Sequence, residues 1–508
     1  MPLSRSRLAV MAGVLAVGVM LGVAELAAGA VSSGRSLVVA VGDIVIDLTP
    51  DRLERAVISA LGTNDKPFLI ACILVGSALL GAAVGALARR RFAAGAAGLV
   101  AMAGVGVAAS LADPQTGVTG PLLAGASGAA SGVATLRALL GPIRPQNATA
   151  GSAPPRVPTT GGGADRRRFL GLAAAAVVVA GTAGYGGRLL AARRRIEEIR
   201  RTIRLPRPAR RAPAVPAGAE LGVPGITPLY VPNDRFYRID TAIVVPQVDP
   251  AKWTLQVKGM VGRPFTLTYE ELLALPHLEA DVTLSCVSNE VGGDLIGNAR
   301  WQGVPLADLL ERARPRPEGK QVLGRSVDGF TAGFPTSVAL DGRNAMVAVA
   351  MNGEPLPAAH GCPARIVVPG LYGYVSATKW LSEIELTGFD VAGYWIPRGW
   401  ARDGPIKTQS RIDVVSRRVI AGVAWAPTRG IERVEVRVNE RPWRDATLAA
   451  ELSEDCWRQW FLPWDPPRGE HVIAVRATDG TGATQTAERT DVAPSGATGH
   501  HTVRVEIS

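Results

Sequence analysis

Residues 281–310 read DVTLSCVSNEVGGDLIGNARWQGVPLADLL, and the domain is built outward from them. DVTLSC is rich in apolar and β-branched side chains and reads as a strand ending on Cys286. Gly293 and Gly297 follow, where backbone can approach a ligand closely. VPLADLLERA then opens a helix on Pro305, with Leu306, Leu309 and Leu310 on one face. A cysteine at a strand end is either a small buried hydrophobe or a metal ligand, and these residues alone leave both open.

The flanking sequence extends an α/β pattern. WTLQVKG alternates as a strand does, and Thr268 with Glu271 forms a capping pattern for a short helix over 268–274. ARIVVPG is a buried strand followed by a glycine-bearing loop. We expect this α/β domain over 226–400. From 401 to 508 the pattern turns all-β. RVEVRVN puts Val434, Val436 and Val438 on one face, HVIAVRATDG ends at an Asp479–Gly480 turn, and HTVRVEI closes the chain. Such a series of short strands reads as an immunoglobulin-like sandwich.

The N-terminal part is of another kind. The chain has 508 residues, too many for one core of about 250–300 residues. Its mean hydropathy of +0.17 reflects an Ala/Gly/Val/Leu-rich region before residue 191. Residues 8–30, 68–88, 92–112, 118–140 and 169–190 each approach the ~20 apolar residues that a membrane helix needs. We therefore expect a membrane domain of about five transmembrane α-helices over 1–191, with membrane lipid as partner. A basic, Pro-rich linker should follow over 192–225. The net charge of +11 does not point to nucleic acid, because the arginines cluster at 89–91, 166–168 and 193–195 beside apolar stretches. If the first two clusters lie inside, the chain is a multi-pass protein of the cell membrane with its C-terminal half extracytoplasmic; the run 193–195 breaks that rule. DRRRFLGLAAAAVVVAGTAG, from Asp165, resembles a twin-arginine export signal through Arg166 and Arg167. Glu25, in the first span, is expected near the outer interface. Cys72, Cys286, Cys362 and Cys456 make no CxxC pair, so neither a disulfide framework nor a zinc site is expected.

Four segments, in order, carry a family resemblance: PNDRFYRID, SCVSN with GNARWQGVPL, MNGEPLPAAHGCPARIVVPGLYGYVSATKWLSEIEL, and GPIKTQSRID followed by the β-rich end. Together they resemble the sulfite oxidase family, which includes nitrate reductases and periplasmic methionine-sulfoxide reductases. The resemblance implies a molybdenum–pterin cofactor whose metal takes its soft protein donor from Cys286. It implies that His360, Arg365 and Lys379 hold the pterin phosphate, and that Asn233, Phe236, Arg238 and Asn289 line the cofactor. Arg238, Arg300 and Tyr394 join Cys286 as the implied catalytic set. The C-terminal segment would be a dimerisation domain, implying a homodimer.

Two positions depart from the family. Glu290 follows Asn289 where sulfite-oxidising members usually carry arginines, so its carboxylate faces the pocket, pairs with Arg300 or belongs to a solvated loop. Cys362 stands where an aromatic is usual and is expected to be a core residue. With no CxxCH and no histidine in the spans, no heme is expected, and electrons would pass to a separate acceptor such as a cytochrome. Three functions follow: oxygen-atom transfer on sulfite or a similar small sulfur compound or oxyanion, reduction of sulfoxides, or a non-catalytic membrane protein with a degenerate domain.

Overall fold

The computed structural model describes residues 4–31, 36–50, 53, 57, 61, 65–112, 117–143, 162–193 and 196–507. Residues 144–161, the Arg166 side chain, and Arg194 and Arg195 of the exceptional basic run lie outside the described residues. The chain divides into two compact units, Met1–Arg195 and Ile196–Ser508.

In the first unit, helices α1 (Arg5–Ala30), α2 (Leu37–Leu48), α3 (Asp65–Arg90), α4 (Phe92–Leu111), α5 (Thr119–Leu140) and α6 (Gly162–Arg193) follow one another. Five of these contain a stretch long and apolar enough to cross a membrane. The exception, α2, was not expected; its 12 residues span about 18 Å, too short to cross. Large apolar side chains lie on both sides of the packing in this unit. Its interior mixes Ala9, Ala12, Ala16 and Ala88 with Val17, Leu99, Leu136 and Phe169, while Val75, Leu79, Val105 and Val178 face outward. Gly13 meets the backbone of Gly81 and Gly85, and Gly29 that of Gly187, so closely that a Cβ would overlap. Exposed apolar side chains and close backbone contacts at glycine suit helices in lipid, because lipid solvates Leu and Val while close packing supplies the attraction. Glu25, near the end of α1, accepts a hydrogen bond from the Ser36 hydroxyl at the start of α2.

The second unit begins with α7 (Ile196–Arg200) and a segment that is docked rather than free. The Arg210 amide donates to the His277 carbonyl at 3.2 Å, its carbonyl accepts from Glu279, and Pro206 accepts from Gln302. The Pro-rich stretch expected to bury little is thus pinned along the α/β domain at these points. Two mixed or antiparallel sheets form that domain. One runs in the order β2 (Phe265–Thr268), β1 (Thr254–Gly259), β10 (Leu381–Thr387), β5 (Gln321–Ser326), β6 (Thr331–Pro335). The other runs β3 (Leu278–Ser285), β4 (Ile296–Pro305), β7 (Met346–Met351), β8 (Glu354–Pro355), with β9 (Arg365–Val367) also on β7. The capping box of Thr268 and Glu271 forms as expected on α8 (Tyr269–Ala274), and α9 (Leu306–Ala313) buries Leu306, Leu309 and Leu310.

Two further four-stranded antiparallel sheets make up the C-terminal region: β11 (Gln409–Val415), β12 (Val419–Trp425), β16 (Arg458–Pro463), β15 (Thr447–Leu448), and β14 (Arg444–Asp445), β13 (Ile431–Val438), β17 (Gly469–Asp479), β18 (His501–Ile507). Ile412, Ile420 and Trp460 of the first share one apolar core with Val434, Val436, Ile473 and Val475 of the second. Val438, expected on the same face, is only partly buried at its rim.

Candidate active site

Cys286 stands one residue beyond β3, buried, with its amide bonded to the Leu295 carbonyl at 2.9 Å. Between them the chain makes a tight loop: the Asn289 amide donates to the Cys286 carbonyl, and the Asn289 Oδ1 accepts from Leu295 at 2.9 Å. The Ser288 amide points at the sulfur, 3.4 Å away. Burial raises the thiol above its ordinary value, against the pull of the Ser288 hydrogen bonds and of the Lys379 charge.

Three basic side chains gather on the same side. β9 lies beside the segment before β10, with the Ile366 amide on the Thr378 carbonyl and the Leu381 amide on the Ala364 carbonyl. That pairing brings Arg365 and Lys379 together. Gly361, at φ +107°, lets the turn carrying His360 close over Lys379, whose Cβ would lie 3.0 Å from any added Cβ. Arg365 is 6% exposed, and its guanidinium stacks over Trp301 at 5.1 Å and donates to the His360 carbonyl at 3.3 Å. No carboxylate among the described residues pairs with it, and burial lowers it to about 10. Lys379 Nζ meets Asp240 at 2.7 Å, and burial, with Arg365 and Arg238 adding, brings it to about 8. Arg238, half exposed, reaches the same carboxylate at 2.9 Å. His360 Nε2 donates to the Asn233 carbonyl at 2.8 Å, and burial first, then the three cations, push the imidazole down to about 4. A buried cationic cluster with this little negative charge is arranged for an anion.

Several expected residues lie elsewhere. Along β3 and β4, Asp281 faces Arg300 and Thr283 faces Asn298, while Val282, Leu284, Ala299 and Trp301 point to the opposite face. Arg300 therefore projects away from the side that holds Trp301, Phe236 and Arg365. Asp281 binds it through two bonds of 2.8 Å, and the Tyr230 hydroxyl accepts a third at 2.9 Å. The structure therefore does not bring it to the cluster around Arg365 and Lys379, nor into a pair with Glu290, which is an exposed loop residue. The Asn233 side chain is spent on the Met351 carbonyl and Asn352, leaving its backbone to hold His360. Phe236 is a core residue, wedged against Gly297 and edge-on to Trp301 and His360. Cys362 is buried in the same apolar cluster, as expected. Tyr394 packs with Phe330, Trp395 and the Arg398 guanidinium beside β6. Two tyrosines lie within electrostatic reach of the Cys286 sulfur: Tyr237, pushed up by burial and then by that sulfur, and Tyr372, pushed up to about 12 by the same two causes. The sequence marked Tyr372 only by its place in GLYGY, a run that reads equally as a turn. Two cavities of about 290 and 240 Å³ lie outside this cluster, one beside Arg343 and Arg402 and one beside Lys407.

Comparison with known proteins decides the family. A model described as oxidoreductase molybdopterin binding domain matches residues 242–395. The uncharacterized oxidoreductase YuiH of Bacillus subtilis (strain 168) is 36% identical over 156 residues, covering 31% of this chain and 76% of that protein. Mitochondrial sulfite oxidase of Rattus norvegicus is 28% identical over 305 residues, covering 49% of this chain and 56% of the enzyme. The chain belongs to the sulfite oxidase family. It is a molybdopterin oxidoreductase, and its cofactor is of the molybdenum–pterin kind. Nitrate reductase [NADPH] of Beauveria bassiana is 34% identical over 163 residues, 28% of this chain and 18% of that enzyme. The crystal structure of the sulfane dehydrogenase SoxCD from Paracoccus pantotrophus shares the fold, at TM-score 0.50 and 24% identity over 55% of this chain and 82% of that one. This family member spans little more than half the length of the sulfite oxidase it matches.

The residues fit such a cofactor. Arg365 Nε, Asn289 Nδ2 and Thr378 Oγ1 are buried without a hydrogen-bond partner, and Thr378 is next to Lys379. Unsatisfied donors cost about 1–3 kcal/mol each, so a ligand with many acceptor oxygens stabilises this site. Among the described residues no cluster of three or more His, Cys, Asp or Glu is placed to hold a metal. One thiolate suits a metal that brings its other donors with the pterin.

Proposed function

We propose that this protein is a membrane-anchored molybdenum oxidoreductase that transfers an oxygen atom to or from sulfite or a similar small sulfur compound or oxyanion, passing electrons to a separate acceptor such as a cytochrome. The observation that carries the reading is the buried Arg365 guanidinium, without a carboxylate, beside Lys379 and on the side of the sheet to which Cys286 belongs. The Cys286 thiolate would be the protein's donor to the metal. Arg365, Lys379 and Arg238 would hold the pterin phosphate by charge-assisted bonds, with the Asn289 amide as a further donor. Neutral His360 would keep the loop at Asn233 closed over the site. Bound there, a molybdenum–pterin group supplies a two-electron change at the metal coupled to oxygen-atom transfer. The Tyr372 phenol, protonated at neutral pH, would lie beside the reacting centre.

The wider organisation belongs to the same reading: a membrane domain over 1–191, a Pro-rich connection over 192–225, the cofactor domain over 226–400, and an immunoglobulin-like domain over 401–508 that pairs two copies. The catalytic half would lie outside the cytoplasm, exported folded through Arg166 and Arg167. A second reading, reduction of a neutral sulfoxide, is favoured by one observation: Asp281 neutralises Arg300, which projects from the other face. Steady-state assays of the full-length protein with sulfite and with methionine sulfoxide separate the two. Turnover of sulfite alone supports the first reading; turnover of the sulfoxide alone replaces it with the second.

A further inference from the structure

The loop that carries Cys286 is held at its far end by the C-terminal sheets. Arg411, on β11, donates from Nη1 to the Gly293 carbonyl at 2.7 Å, from Nη2 to the Thr227 hydroxyl at 2.6 Å, and from Nε to Asp413 at 2.7 Å. Asp413 also accepts from the Thr227 amide at 3.0 Å, so four groups close one network. Next to it, the His501 ring of β18 lies against Gly292, where φ is +81° and a Cβ would overlap the imidazole. His501 Nδ1 accepts from the Ile412 amide at 3.0 Å, which leaves the ring proton on Nε2. The loop's own hydrogen bonds, Gly293 to Glu290 and Leu295 to Asn289, link this anchored end back to the cysteine.

We propose that Arg411 and His501 are positioning residues for Cys286, so that the C-terminal β region sets where the sulfur stands. The inference rests on the reading of Cys286 as the metal's thiolate donor. A ligand's outer-shell partners typically change activity or affinity by roughly 10–100-fold when removed, and Gly292 and Gly293 at the anchored end have little stiffness of their own to replace them.

The test uses the full-length protein loaded with cofactor, as wild type, Arg411→Ala, Arg411→Lys and Thr227→Val. Three quantities are read: amide hydrogen exchange over 287–295, the molybdenum–thiolate spectroscopic signature, and kcat against KM. Arg411→Ala should keep its molybdenum and pterin yet exchange faster across the loop, shift the thiolate signature and lose kcat by about tenfold or more. Lysine retains the charge but not the three-way fork, so it should restore only part. Thr227→Val removes one hydroxyl and should shift the same signals less, and it decides the matter by the same criteria should Arg411→Ala not fold. Unchanged exchange and an unchanged thiolate signature in these variants would overturn the proposal. An unchanged signature in Cys286→Ser would instead overturn the ligand reading beneath it.

Discussion

Arg365 and Lys379 show what a single residue can and cannot disclose. Each flanks an apolar strand in the sequence and could have been a solvated end. Their burial, and the absence of a carboxylate for Arg365 among the described residues, distinguish them from solvated ends. Truncating both to alanine should lower molybdenum and pterin occupancy more than it alters turnover per loaded site, because each charge-assisted bond to a buried anion is worth about 1.5–3 kcal/mol; metal and pterin analysis of the purified variant reads this. Lys379 also makes a pH prediction. Its ordinary value is 10.5 and the folded protein holds it at about 8, so between those values the unfolded chain binds more protons. Stability of the cofactor-free protein should therefore rise as pH climbs through that window. Urea midpoints at several pH values should show the slope, Lys379→Met should flatten it, and a bound phosphate group, by raising the amine again, should do the same.

Strands explain where the sequence reading failed. Residues 296–305 form a strand that the sequence pattern does not mark, because Gly297 and Gly303 interrupt any alternation. Both glycines are there for close contact, Gly297 with the Phe236 ring and Gly303 with the Val347 backbone. Without β4 as a strand, nothing in the sequence tells the face of Arg300 from that of Trp301. Amphipathic pieces such as α9 and capped ones such as α8 were legible, because their signals are local. The turn between His360 and β9 was legible only through the family resemblance. It is held in a demanding geometry: Gly361 sits at φ +107°, and an added Cβ there would lie 3.0 Å from the Lys379 Cβ and 3.2 Å from the Arg365 Cβ. Gly361→Ala should therefore cost on the order of 1–3 kcal/mol of stability and loosen the phosphate cluster. Chemical denaturation and cofactor content would show it; wild-type values for both would mean the turn has room to relax.

For the whole molecule, composition predicts two regions of different solvent, and the first unit exposes Val75, Leu79, Val105 and Val178. The short helix α2 was missed because its 12 residues fall between basic and Pro-bearing segments and below the length that marks a span. The proposed topology makes a prediction at this scale. A reporter fused after Ser508 should be active only outside the cytoplasm, and changing Arg166 and Arg167 to lysine should abolish its export. Activity confined to the cytoplasm would reverse the topology, and export that survives the lysines would remove the twin-arginine route alone. The central claim, that Cys286 is the protein's donor to a molybdenum–pterin cofactor, is tested most directly by molybdenum X-ray absorption on the full-length protein and on Cys286→Ser at matched pterin content. The account predicts one sulfur fewer in the first shell of the variant. An identical sulfur count in the two proteins would contradict it.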